Sequence, residues 1–317
     1  MTRPVSHTRI PAWCTLIQYM RWLFLLVALT VACGGSPTTP SPVPTPTTIP
    51  QTWTLTGQIV HAVNAQPISG AQILGVRSDT SGLFRVNGSG PRGSQRVTVE
   101  ASGYLTRQTT ISAGTDNPII DLIPESAASM FRQLGRNGFE GGSEVLRRWT
   151  SAPQFYITQD GSLTPEDIRR VTVGILAATN QMSPFGNVGI TVGPARAEQA
   201  GWIAVTFPAT IPGFCGRSRI GADPGLVELA GDCLFRCAGS PYTIDIIAHE
   251  VGHALGVWHD STGLMSVTRT RTCGDPVFTH AERAAAQLVY KRPVGNSDPD
   301  TDPLGHAFIA PPRFLRD

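Results

Sequence analysis

The stretch His249-Glu250-Val251-Gly252-His253-Ala254-Leu255-Gly256-Val257-Trp258-His259-Asp260 decides how the rest of the chain reads. Residues four apart share one face of an α-helix, so His249 and His253 can offer two ring nitrogens to a single metal ion. Glu250 lies one position round from that seam, close enough to polarise a metal-bound water without being a ligand. Gly256 can take a left-handed conformation, which ends the helix and turns the chain back. The turn brings His259 in as a third ligand. Zinc held by three protein ligands keeps a fourth position for water, the catalytic arrangement and not the closed structural one. The bland alternative, a surface helix with scattered histidines, does not explain why all five residues fall in register.

The pattern HExxHxxGxxH resembles the metzincin metallopeptidases, whose motif is followed by a methionine turn. Gly263-Leu264-Met265-Ser266 resembles that turn, and the likeness implies Met265 as an apolar floor beneath the metal. His-Ala-Leu-Gly within the motif is similar to the matrixin branch, while Asp260 is closer to the adamalysin branch. Matrixins carry a histidine and aspartate set for a structural zinc and calcium ahead of the motif. The comparable stretch here, Gly201 to Pro208, has no histidine, so the expected metal is one catalytic Zn2+, and structural Ca2+ is not carried over.

Residues 1–32 contain Arg3, Arg9 and Arg21, no acidic residue, and a short apolar run from Trp22 to Ala32. That is the form of an export signal, too short for a membrane span of about 20 apolar residues. Leu29-Thr30-Val31-Ala32-Cys33-Gly34 resembles a bacterial lipobox, which implies lipid on Cys33 and a membrane anchor facing the periplasm or the cell exterior. Ordinary cleavage near Ala32 is the alternative. Losing the signal turns a formal charge of +2 into about −1. A nearly neutral chain has no electrostatic basis for holding nucleic acid.

Cys14 leaves with the signal, and the four remaining cysteines, Cys215, Cys233, Cys237 and Cys273, lie in the half that holds the motif. Four cysteines in an exported chain suggest two disulfides with three possible pairings. Cys215 with Cys233 and Cys237 with Cys273 is the favoured set. A second zinc on four thiolates is the rival, disfavoured by an oxidising compartment and the loose Cys233-x-x-x-Cys237 spacing.

Residues 33–52 form a tether of proline, threonine, serine and glycine that cannot bury a core. From Trp53 short runs alternate apolar and polar residues between turn clusters, as strands of a small sandwich do. Its signals, Pro67-Ile68-Ser69-Gly70-Ala71 and Thr80-Ser81-Gly82-Leu83-Phe84 among them, resemble the carboxypeptidase-regulatory-like (transthyretin-like) β-sandwich over residues 53–124. Residues 125–317 then read as the metzincin domain, opening on a connector through residue 150. It continues with a strand at Phe155-Tyr156-Ile157 and a helix capped by Thr164-Pro165. Strands follow at Val188–Val192 and Trp202–Phe207, then an active-site helix from Ser240-Pro241 and a last helix from Thr279 with a capping box to Glu282. The tail after Arg292 reads as loosely ordered. The expected fold is α+β: a mixed twisted sheet with an active-site helix and a C-terminal helix, preceded by a small all-β sandwich.

These readings imply a zinc metalloendopeptidase that cuts internal bonds of protein or peptide substrates, with Glu250 as general base; the resemblance adds an edge strand pairing with the substrate, for which Trp202–Phe207 is the candidate. The competing class is a cell-surface binding or adhesion protein with an inactive peptidase-like domain. His61, His280 and His306 read as solvated. Tyr242 and Tyr290 read as packing aromatics, with a hydrogen bond to the oxyanion as the alternative.

Overall fold

The computed structural model describes residues 51–112, 114–159, 161–268, 271–305 and 313–316. The stretch read as an export signal with Cys14 and Cys33, the expected tether up to residue 50, and His306 lie outside the described residues.

The first seven strands are short and alternate in burial, as the period-two pattern requires. β1 (Thr52–His61), β4 (Leu83–Ser89) and β7 (Ile119–Leu122) form one sheet in the order β4-β1-β7. β2 (Gln72–Ile73), β3 (Val76–Arg77), β5 (Gln95–Glu100) and β6 (Arg107–Ile111) form another in the order β3-β2-β5-β6. Leu55, Ile59 and Phe84 from the first meet Ile73, Val97 and Val99 from the second in a shared core.

The residues after β7 were expected as a connector, but Glu125–Arg136 is a helix, α1. Ala128, Phe131 and Leu134, three residues apart, put one apolar face inside, and Asn137 ends the helix in the left-handed region. A single 3-10 turn, Gly138–Glu140, follows.

The second sheet system has six strands in the order β13-β11-β12-β10-β8-β9. β8 (Gln154–Thr158), β9 (Ile190–Gly193), β10 (Trp202–Thr206) and β12 (Gly225–Leu229) run parallel, while β11 (Gly216–Arg219) and β13 (Phe314–Arg316) are antiparallel to their neighbours. Trp202–Thr206 is therefore flanked on both sides, by β8 and β12, and its backbone groups are spent. It is not the edge that could take a substrate strand, contrary to the sequence expectation.

Helices α2 (Pro165–Met182) and α3 (Ile244–Ala254) cover the sheet, with Phe155, Ile203, Val205, Val227, Ile175, Ile247 and Val251 in one core. Gly174 lets α2 approach α3, since a Cβ there would stand 2.5 Å from Ile247 Cγ2. The last helix, α4 (His280–Tyr290), is capped by Thr279 and Glu282 and packs on α1.

The tail is the second correction. Asn296 and Asp300 are fully buried, and Asp300 chelates the buried guanidinium of Arg292 at 2.7 and 2.8 Å. A charge held in a low-dielectric interior needs such partners, so residues 293–302 are pinned where composition alone suggested a loose end. No helix among the described residues is long and apolar enough to cross a membrane.

Candidate metal centre

α3 begins at Ile244, with Thr243 accepting from the Ile246 amide as N-cap, and not at Ser240. Ser240 is engaged elsewhere: its hydroxyl donates to Asp167 at 2.6 Å and accepts from the Tyr242 amide. The helix ends at Ala254, and Trp149 Nε1 donates to the Ala254 carbonyl at 2.9 Å. Gly256 follows at φ +107°, and a Cβ there would overlap the Arg147 carbonyl. Both the backbone conformation and the lack of space require glycine at this turn.

The turn delivers His259 beside His249 and His253. All three are buried, and one nitrogen from each lies within 4.8 Å of the others. Each Nδ1 meets an oxygen acceptor: Leu264 O for His249 at 2.6 Å, Val257 O for His253 at 2.7 Å, and Glu140 Oε1 for His259 at 2.8 Å. A carbonyl or carboxylate can only accept, so Nδ1 carries the hydrogen and the lone pair sits on Nε2. The Nε2 atoms of His249 and His253 stand 3.0 Å apart. Two lone pairs at that distance repel unless a cation or proton lies between them. Tetrahedral zinc with bonds near 2.05 Å sets its ligand nitrogens about 3.3 Å apart. The donor set, its tautomers and its spacing fit zinc.

Glu250 is fully buried, and its Oε2 accepts from Ser218 Oγ on β11 at 2.6 Å. Gly216, on the same strand, lies so close that a Cβ would overlap Oε1. Met265 is fully buried beneath α3, with Sδ 2.8 Å from where a Cβ on Gly252 would sit. Its amide donates to Glu282 at 2.7 Å, and its carbonyl accepts from Asp260. The capping carboxylate of α4 thus also fastens the turn that carries Met265. Asp260 is buried beside His259 and accepts from Ser261.

Cys215, Cys233, Cys237 and Cys273 stand as two disulfides, Cys215–Cys233 and Cys237–Cys273. Tyr290 gives its hydroxyl to the Leu255 carbonyl at 2.8 Å, and burial pushes its phenol well above the usual range despite the Arg148 guanidinium nearby. Its proton is committed to closing the helix end. The Tyr242 ring packs edge-on against Phe207. His280 is exposed, and His61 packs on Tyr104 in the sandwich, away from the centre.

Glu140 and Ser218 were not singled out in the sequence, and Glu282 was read only as a helix cap, not as a group near the site. Glu282 carried a signal, the capping box of α4; Glu140 and Ser218 carried none, because tertiary contacts alone bring them to the site.

No protein-family model matches the chain, and no curated protein matches it in sequence. Among solved structures it is similar to high choriolytic enzyme 1, a hatching-enzyme zinc protease of the medaka fish Oryzias latipes. That likeness has 13% identity and a TM-score of 0.29, over 47% of this chain and 99% of that one. Metalloproteinase-II from Bacteroides fragilis matches at 11% identity and TM-score 0.31, over 74% of this chain and 85% of the other. A GH20 exo-β-N-acetylglucosaminidase from Vibrio harveyi matches at 12% and 0.20, over 63% and 32%. At such scores any functional assignment rests on the chain's own site.

Proposed function

We propose that the chain is a zinc-dependent endopeptidase of the metzincin kind, exported and lipid-anchored through Cys33. The observation that carries the reading is the convergence of three buried imidazoles, each with its lone pair on Nε2, beside a buried carboxylate one residue along the same helix. Both disulfides suit an oxidising compartment and so support export.

When bound, zinc supplies a Lewis acid that lowers the pKa of a water and draws charge from a substrate carbonyl. The rest falls to the chain. Ser218 fixes Oε2 of Glu250, and Gly216 leaves room at Oε1, so that oxygen takes the water's proton and later passes it to the leaving amine. Leu264, Val257 and Glu140 hold the rings in the tautomer that presents Nε2. The antiparallel strand β11, directly over Glu250, is the element along which an extended peptide would lie.

Metal analysis should find one zinc per chain, and casein cleavage should stop with a chelator and return with added zinc. Glu250→Gln should keep the metal and lose roughly 10²–10⁴-fold in kcat. Stoichiometric zinc without cleavage across a panel of protein substrates would favour a binding protein with an inactive peptidase-like domain. Cleavage undiminished by Glu250→Gln would refute the assigned base.

A further inference from the structure

β11 is the strand that touches the catalytic carboxylate, through Ser218 and Gly216. One of its edges pairs with β12. The other is already taken by the chain's own last strand, β13, with Ser218 opposite Leu315 and Arg219 opposite Phe314. The Ile220 amide extends the pairing to the Arg313 carbonyl at 3.0 Å. Directly opposed residues in a sheet project to the same face. Leu315 therefore shares with Ser218 the side turned to the active-site helix, where it is buried against Ile220 and Trp258, next to the ligand His259. Phe314 projects to the other side, 43% exposed, beneath the guanidinium groups of Arg217 and Arg219. Arg313 adds an ion pair to Glu144 at 2.6 Å.

One row of backbone donors and acceptors serves one strand at a time. A peptide laid along β11 to bring its carbonyl to Glu250 needs the row that β13 holds. We propose that residues 313–316 are a built-in occupant of the substrate edge, which a peptide must displace, and that the Ile220–Trp258 surface then receives an aliphatic side chain of the substrate in place of Leu315. The strand is suited to exchange: it is three residues long, it buries one apolar side chain, and its ion pair lies on a half-exposed arginine. This inference rests on the peptidase reading and adds a restraint and an apolar preference to it.

The test compares the full chain with one ending at residue 312, both zinc-loaded. In the Glu250→Gln background, which holds peptide without cutting it, a fluorescein-labelled Arg-Phe-Leu-Arg-Asp peptide is followed by anisotropy. The shortened chain should bind it roughly tenfold more tightly than the full chain, because the competent state is no longer masked. The same peptide with aspartate for leucine should not bind. Equal affinity for the two lengths, or no binding to the shorter, overturns the proposal.

In the active background, truncation and Leu315→Asp in the full chain should each raise kcat/KM on casein, mainly through a lower KM. Casein cleaved equally well by all three chains overturns the strand proposal and leaves the peptidase standing. No cleavage by any of them, with peptide binding as expected, supports the dock and overturns the peptidase reading.

Discussion

The three ring nitrogens at the centre are aimed by oxygens from three different places. Val257 lies in the turn just after α3, Leu264 in the turn that carries Met265, and Glu140 in the 3-10 turn that follows α1. The first two are backbone carbonyls that any sequence of the same shape would supply. Glu140 is a side chain, and it alone can be deleted. Carboxylates in this position fix the ring and raise its basicity, and losing one typically costs roughly 10–100-fold in metal affinity. Glu140→Ala should show a zinc affinity lower by that factor in competition with a chromogenic chelator, with an unchanged far-ultraviolet spectrum. Glu140→Gln, which keeps an acceptor oxygen, should recover most of it. Affinity unmoved by the alanine variant would mean that packing alone orients His259. The histidines, Glu250 and Gly256 were legible in the sequence because one helix and one turn fix their mutual positions. Glu140 was not, since it reaches His259 across 119 residues of chain.

At the scale of elements, what is local is what could be read. The caps of α2 and α4 fall at Thr164 and Thr279 because each is closed by a carboxylate three residues on, Asp167 and Glu282. The start of α3 was read three residues early, since Ser240-Pro241 carries a cap signal whose serine the fold spends on Asp167. β11 was missed because Gly216-Arg217-Ser218-Arg219 has no apolar residue, although Ser218 is fully buried. Its inward position is chosen for Glu250 and not for hydrophobicity. The first turn of α2 carries a prediction of its own. Hydrogen bonds from Arg169 and Arg170 hold the Glu166 carboxyl at about 2, well below its ordinary 4.5. A carboxyl depressed in the folded state stabilises fully above the unfolded value, and that contribution is lost as pH falls from 4.5 towards 2. Urea melts of the native chain and Glu166→Gln should therefore differ at pH 6, the native chain being the more stable. The gap should close as pH falls through that window. A gap that stays constant would assign the difference to something other than the ionised carboxylate. The effect should be small, because the group is exposed and screened.

Over the whole molecule, the described residues fall in one compact unit, and the sandwich is wired to the half with the three-histidine cluster through a buried ion network. Arg292, fully buried just beyond α4, binds Asp300 with two nitrogens and reaches Asp121 on β7 at 2.6 Å. Burial alone would lower the Arg292 pKa, but the charges of Asp300 and Asp121 and their hydrogen bonds override it and raise it. Arg107 on β6 joins Asp121 to Asp302, and the Lys291 ammonium donates to the Ala62 carbonyl. Ala62, Leu105 and Ile123 of the sandwich half share an apolar cluster with Phe131, Leu288 and Val289. The change of pattern near residue 124 was visible in the sequence; the network was not, because Asp121 and Arg292 are 171 positions apart. Asp121→Ala removes one carboxylate shared by two buried arginines and leaves Arg292 with Asp300 and the backbone carbonyl of residue 121. The expected loss is at least about 2 kcal/mol, below the full cost of breaking a buried pair because the second partner survives. Because the network spans both halves, calorimetry of the zinc-loaded chain should show one transition whose calorimetric and van't Hoff enthalpies agree, shifted down as a whole by the substitution. Two transitions, with the zinc-bound one unmoved by Asp121→Ala, would show instead that the sandwich is a separable bead and that the metal site stands without it.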